Sequence, residues 1–266
     1  MNYKFLFPTF LNRFLFVQST LNDFRKNSPQ LILHVGAGEG DYDPMLSTFS
    51  SKLVSIDNNE DDLHFAKNRN KNLLNVEYNL EDILSLSFYD NSFDVVIAIE
   101  VIEHISNPAQ MMENIFKVLK PSGIAIFTFP NEEFPITYDP INRILSWFSK
   151  KRLPIGAYAF EHDHLISSKE FKKYAVGCGF HILKEEPLSG YFIGLTEAYW
   201  TGLFQRIFKT NFSNKPFENR AKIFATRPGN KVPKLSLLTQ KLIIFDKFLS
   251  KKTKKSIGMG YVLQKK

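Results

Sequence analysis

One cysteine, Cys178, stands in 266 residues. A lone thiol excludes an internal disulfide framework and fits a reducing compartment, so the NFS sequon at Asn211 is expected to stay idle. Long apolar runs are missing too. The aromatic N-terminal stretch MNYKFLFPTFLNRFLFVQSTL is interrupted by Lys4, Pro8, Asn12 and Arg13, and no small-residue cleavage site follows, which argues against a signal peptide or a membrane span. Tyr191 to Lys209 is broken in the same way by Gly194, Glu197 and Gly202. Internal repeats, low-complexity tracts and an appended basic domain are absent. What is present is a 44% hydrophobic composition with 26 Phe, 10 Tyr and 2 Trp, enough to bury one large core, so a single domain over 1–266 is expected.

Glycine then carries the argument. Leu31 to Gly40, LILHVGAGEG, runs a short apolar segment straight into Gly36, Gly38 and Gly40 at alternating positions. Leu31, Ile32, Leu33 and Val35 suit a strand buried on both faces of a parallel sheet, and the glycines let the backbone approach a ligand closely. The expected ligand is an adenosine-containing cofactor. A dinucleotide fingerprint would put its third glycine at position 41, which is Asp41, and this argues against NAD or FAD. Lys52 to Ile56 reads as a second strand. Asp57 sits at its carboxyl end, 19 residues after Gly38, where a carboxylate can accept both ribose hydroxyl hydrogen bonds. A helix N-cap is the plainer alternative for Asp57.

Two further stretches fall in register. DILSLSFYDNSFDVVIAIEVIEH, from Asp82 to His104, reads as a loop, fourth strand and helix start. LKPSGIAIFTFPN, from Leu119 to Asn131, reads as a helix exit, glycine turn and fifth strand. Over roughly Leu31 to Pro130 these segments resemble the class I S-adenosylmethionine-dependent methyltransferases, nearest to the ubiquinone-biosynthesis-like group. The resemblance implies an α/β fold, a doubly wound Rossmann-like seven-stranded sheet with helical insertions after the fifth and sixth strands. It also implies S-adenosyl-L-methionine as cofactor, held by His34, Gly36, Gly38, Gly40, Asp57, Asn58, Asp82, Ile83 and Ile99. Asp82, twelve residues before Asp94, takes the place of the acid that hydrogen-bonds the adenine amino group. His34 departs from the pattern, because the family has Asp or Glu two residues before the first glycine. A histidine can hydrogen-bond there but supplies no fixed negative charge near the cofactor's ammonium group. Glu39 reads as an ordinary exposed loop carboxylate.

Methyl transfer from a sulfonium asks a protein to align acceptor, methyl and sulfur and to take a proton. Glu100, Glu103 and His104 follow the fourth strand at the carboxyl edge of the sheet. Their spacing puts all three near one helical face, suited to a general base or a divalent-metal site. They are the candidate catalytic residues, with His104 as base; a pair that braces the loop is the plainer alternative. A second cluster, EHDH from Glu161 to His164, resembles part of the small-RNA 3′-terminal 2′-O-methyltransferases. On that reading Glu100, Glu103, His104 and His162 would hold a divalent metal, whereas the first expectation is no metal.

Six segments follow. Residues 1–30 form an N-terminal helical cap with Phe14, Val17, Leu21 and Phe24 on one stripe over the cofactor edge, and 31–130 the cofactor-binding core. Residues 131–165 are an acceptor-side insertion, and 166–188 a helix ending at Gly177 or Gly179 plus the sixth strand from near Phe180. Residues 189–257 are a helical insertion and 258–266 the last strand, with AKIFATRP as the alternative seventh strand. In the second insertion KLSLLTQKLIIFDKFLSKKTKK reads as a helix with Leu235, Leu238, Leu242 and Phe245 on its apolar face.

Net charge is +7 with a sequence pI of 9.2, and much of the excess lies in Lys251, Lys252, Lys254, Lys255, Lys265 and Lys266. That balance favours phosphates or anionic lipid headgroups, with a solvated surface as the alternative. Pro140 to Arg152 puts Ile141, Ile144, Leu145 and Phe148 on one helical face, with Arg143, Lys150, Lys151 and Arg152 at its edge or end, as in an interfacial helix. The expected function is methylation, by transfer to an oxygen of a small-molecule or lipid-like acceptor, in the cytoplasm and with peripheral membrane contact as an added reading. Two alternatives stand beside it: a metal-dependent RNA 2′-O-methyltransferase, nucleic acid being the weaker partner, and a non-catalytic cofactor-binding subunit favoured only by His34. Nothing in the pattern sets an oligomeric state.

Overall fold

A computed structural model describes residues 1–24, 30–131, 147–148, 166–194, 196–197, 229–250 and 256–266. Its strands are β1 (Gln30–Val35), β2 (Ser50–Asp57), β3 (Val76–Leu80), β4 (Phe93–Ile99), β5 (Leu119–Pro130), β6 (Phe180–Leu188) and β7 (Gly258–Lys265). They form one seven-stranded sheet in the order β3-β2-β1-β4-β5-β7-β6. The first five strands run parallel, and β7 lies antiparallel to both β5 and β6. The doubly wound α/β sheet and its last strand at Gly258–Lys265 are therefore as the sequence implied. Strand order reverses between β1 and β4, so the connections leaving their carboxyl ends run in opposite directions and open the crevice in which such sheets bind ligands.

Hydropathy explains the central strands. Val95, Val96, Ile97 and Ala98 of β4 are all buried, alternating between two cores on opposite faces of the sheet. On one face α4 (Pro108–Val118) and α5 (Ser168–Gly177) pack Met111, Ile115, Phe171 and Ala175 against Val96, Phe127 and Tyr261. On the other face α1 (Pro8–Asp23) and α2 (Asp43–Leu46) cover Ile32, Ile97 and Val262. The short α3 (Glu60–Arg69) starts on an Asn59 side-chain cap that accepts from the Asp62 amide, so Asp57 is not its N-cap.

The N-terminal stripe packs as its period requires. Val17 and Leu21 are fully buried, each worth about 1.5–3 kcal/mol, while Phe14 and Phe24 pack against their edges. Phe7, at the start of α1, has no side chain that can cap; the carboxylate of Glu197 does so instead, accepting from the Thr9 amide at 2.8 Å.

Between β6 and β7 lies α6 (Ser236–Ser250), the helix expected there, and its apolar face is turned outward. Leu235, Leu238, Leu242 and Phe245 are exposed, and the helix turns Ser236, Thr239, Ile243 and Asp246 inward. The physical reason is Asp246. Its carboxylate accepts from the amides of Gly190 and Ile193, and Thr239 Oγ1 donates to the Leu6 carbonyl. Turning Asp246 outward would orphan both amides, at about 1–3 kcal/mol each, and would take Ile243 off Phe5, Leu11 and Ile193. Most of the 140–152 interfacial segment, the histidines at 162 and 164, the sequon at Asn211 and the alternative strand at 221–228 lie outside the described residues. Phe148, which is described, is exposed.

Candidate active site

The carboxyl end of β1 runs into the glycine loop, and two of its glycines are required by geometry. Gly36 has φ +68°, and a Cβ there would meet Val101 Cγ2 at 2.4 Å, so glycine alone lets this loop close on the segment after β4. Gly38 has φ +50° and open space where a Cβ would point, which leaves its backbone accessible to a ligand. The amide of Gly38 donates to Asp57 Oδ2 at 2.7 Å, and the amide of Asn59 donates to Oδ1 at 2.9 Å. Asp57 is thus held at the tip of β2 facing the loop, with lone pairs left over for further donors. Asn58 is exposed beside it.

His34 lies behind this loop. It is buried, and its Nδ1 meets Asp43 Oδ1 at 2.8 Å. The same carboxylate accepts from Ser55 Oγ at 3.0 Å and from Tyr78 OH at 2.8 Å, and Asn70 Nδ2 donates both to Tyr78 and to the Gly40 carbonyl. Burial, then the charge of Asp43, pushes the Tyr78 hydroxyl well above its ordinary pKa. An acid does stand beside His34: Asp43, nine residues further on, at the first turn of α2. Sequence reasoning missed it, although an acid next to Pro44 at a helix start was a usable signal.

Charge also ties the N-terminal cap to the loop. Lys4 Nζ meets Glu39 Oε2 at 2.9 Å and pairs with Asp41, whose other oxygen takes Arg69 Nη1 at 2.7 Å. Glu39 is therefore an ion-pair partner rather than a solvated loop carboxylate. Burial would raise the Asp41 pKa, but Lys4 and Arg69 outweigh it and hold the carboxyl below its usual range. The same two acids outweigh desolvation at Lys4 and raise its pKa.

Across the crevice Glu100 leaves β4 at φ +55°, its amide bonded to the Thr128 carbonyl at 2.9 Å. Its carboxylate accepts from Thr128 Oγ1 at 3.1 Å and pairs with Arg13 Nη1 at 2.7 Å. In the sequence Arg13 reads only as a break in the apolar N-terminal stretch, with no place at the site, though a lone cation within an aromatic helix was its signal. The turn that follows, Ile102–His104, is a 3-10 turn, and this corrects the expectation of one shared helical face: Glu103 is buried and His104 is exposed. Burial, reinforced by the charge of Glu100, pushes the Glu103 carboxyl well above its ordinary pKa. Ile99 is buried at the end of β4. Asp82 is exposed and accepts from the Leu84 amide at 2.9 Å, while Ile83 beside it is buried. Among the described residues no three His, Cys, Asp or Glu side chains converge on a point where a metal could sit; His162 lies outside them.

Residues 33–127 match the family described as Methyltransferase domain. A ubiquinone biosynthesis O-methyltransferase of Coxiella burnetii is 30% identical over 153 residues, 57% of this chain and 64% of the relative. A mitochondrial ubiquinone biosynthesis O-methyltransferase of Dictyostelium discoideum is 29% identical over 156 residues, 54% of this chain and 47% of the relative. The chain thus spans between about half and just under two thirds of the length of these curated relatives. Among solved structures, the [4+2]-cyclase SpnF superposes with a TM-score of 0.59 at 16% identity, covering 94% of this chain and 80% of that one. At that identity the likeness concerns the fold alone, and a fold does not fix a reaction.

Proposed function

We propose, from the premise that residues 33–127 are a class I S-adenosylmethionine-dependent methyltransferase domain, that this chain transfers a methyl group from S-adenosylmethionine to an oxygen of a small or lipid-like acceptor. One observation carries the reading: at the strand-order reversal, an open glycine has its amide fixed on Asp57, with Glu100 across the crevice. The residues fit the cofactor. No atom beyond its chain neighbours lies within 4 Å of where a Cβ would sit on Gly38, which leaves the loop backbone open toward a ribose, and Asp57 keeps acceptor sites for its hydroxyls. Asp82 is the acceptor for an adenine amino group, Asn58 a polar neighbour, and Ile83 and Ile99 are the apolar walls. Gly36 and Gly40 shape the loop, and His34 acts from behind it through Asp43.

When bound, the cofactor supplies a methyl group already activated by its sulfonium. The protein's own work is alignment and one proton. His104, exposed at the carboxyl edge, takes the proton that the acceptor hydroxyl loses as its oxygen gains the methyl. Glu103, buried and holding its proton far above the usual carboxylate range, braces the turn without adding a second negative charge beside Glu100. Arg13 and Thr128 hold Glu100 in place.

The names of the curated relatives support an acceptor of the ubiquinone-precursor kind, and an apolar acceptor of that kind favours peripheral contact with a membrane. No described helix is long and apolar enough to cross one. The test is incubation with methyl-labelled S-adenosylmethionine and hydroxylated aromatics, with and without a long apolar tail. Label should enter the tailed acceptors as a methyl ether and fall sharply in His104→Ala; no label in any hydroxyl acceptor would sink the proposal.

A further inference from the structure

The helix α6 wears its hydrocarbon on the outside. Leu237, Leu238, Ile244, Phe245, Phe248 and Leu249 are 48% to 73% exposed. At 100° per residue they fall on one side of the helix, opposite Ser236, Thr239, Ile243 and Asp246. Among the described residues the one ring contact to this side is Phe192 against Phe245, with centroids 5.4 Å apart. The orientation is built rather than accidental, because the buried Asp246 carboxylate takes the amides of Gly190 and Ile193 and cannot rotate outward without orphaning them. The inner side also packs Ile243 against Phe5, Leu11 and Ile193.

Charge selects the occupant of the outer side. From residue 231 to 266 the sequence has ten lysines and one acid, Asp246, which is fully buried. Lys231, Lys234 and Lys241 are exposed, and Lys247 reaches Glu186 on β6. Lys241 lies amid the apolar side chains, so a second copy laid on this face would bring lysine against lysine, with no exposed carboxylate on α6 to answer it. Hydrocarbon with Lys241 in its midst and no exposed carboxylate on its own helix matches an anionic bilayer surface instead. The helix has 15 residues, a length of about 22 Å against the ~30 Å of a bilayer core, so it can lie in the interface but not span it.

We propose that α6 docks the protein onto anionic lipid bilayers, seating its outer apolar side chains at the acyl boundary and its lysines among the headgroups. The helix packs on α1 and on the Tyr3–Leu6 turn, the elements that reach the crevice through Arg13–Glu100 and Lys4–Glu39. Docking therefore holds the N-terminal cap between the bilayer and the glycine loop, the arrangement an acceptor drawn from the bilayer needs. The proposal deepens the lipid-like acceptor reading and rests on it for purpose, not for geometry.

The experiment is co-sedimentation of the full chain with vesicles of phosphatidylcholine alone and of phosphatidylcholine mixed with phosphatidylglycerol. The parent should bind the anionic vesicles at least about tenfold better than the neutral ones, and salt should weaken the binding. The double variant Ile244→Glu/Phe248→Glu should lose about tenfold or more, and Lys241→Glu should lose part of the preference for anionic lipid. Both variants change exposed side chains, and their thermal unfolding and S-adenosylmethionine titration should match the parent. Equal sedimentation of parent and double variant overturns the proposal. So does a concentration-dependent dimer in ultracentrifugation that the double variant dissolves, since the face then belongs to a second copy. Vesicle binding without cofactor binding would remove the enzymatic reading and leave the docking surface standing; cofactor binding without vesicle binding would do the reverse.

Discussion

Two buried acids organise two unlike regions. At the crevice Asp43 draws His34, Ser55 and Tyr78 into one network, so α2 is fastened to β1, β2 and β3 behind the glycine loop. On α6 Asp246 draws backbone amides, from Gly190 and Ile193, and what it fixes is the rotation of a helix whose leucines and phenylalanines then face outward. Both carboxylates are fully buried and both are answered by donors. The difference teaches that a buried carboxylate fixes whatever supplies its donors: side chains of three strands at Asp43, and the rotation of one helix at Asp246.

Removing each acid is the strongest way to break that comparison. Asp43→Ala strands three donors in the interior and should destabilise the fold by about 3–5 kcal/mol in urea unfolding, with cofactor affinity falling alongside. Asp246→Ala orphans two amides and should cost about 2–3 kcal/mol in the same measurement, leaving cofactor affinity unchanged in whatever fraction stays folded. If Asp246→Ala proves neutral, the account of the helix rotation fails.

Glu103 sharpens the contrast, because it is a buried acid whose charge is disfavoured. Its folded pKa is raised, so above the unfolded value of about 4.3 the folded chain binds more protons than the unfolded one, and stability falls as pH rises toward the folded pKa. Glu103→Gln should therefore match the parent below about pH 4 and gain on it toward neutral pH, read as thermal unfolding across a pH series. A gain that is constant with pH would contradict the assignment. The smallest effect belongs to the outer side of α6, where Ile244→Ser should change stability by no more than about 0.5 kcal/mol.

Local pattern carried much of this structure. The apolar run before Gly36, the acid at the end of β2 and the fourth strand within Asp82–His104 each express one element's own chemistry, and all three fall where the sequence puts them. What pattern could not show were pairings across the fold. Arg13 with Glu100, Lys4 with Glu39 and Asp41, and Asp43 with His34 join residues whose meeting depends on tertiary geometry. Which side of α6 turns inward was not legible for a related reason. Periodicity finds an apolar side but says nothing of the amides of Gly190 and Ile193 that wait for Asp246. Glu103 and His104 parted because Glu100 takes a left-handed conformation and a 3-10 turn follows, where spacing alone suggested an α-helix.

The central claim is that the crevice between β1 and β4 holds S-adenosylmethionine through Asp57. Calorimetric titration of the full chain and of Asp57→Ala with S-adenosylmethionine, with and without magnesium, tests it most directly. The account predicts binding by the parent that is indifferent to magnesium, and a loss of about 1.5–3 kcal/mol, roughly 10- to 150-fold, in the variant. Equal affinity in the two proteins, or no binding by the parent, would contradict it.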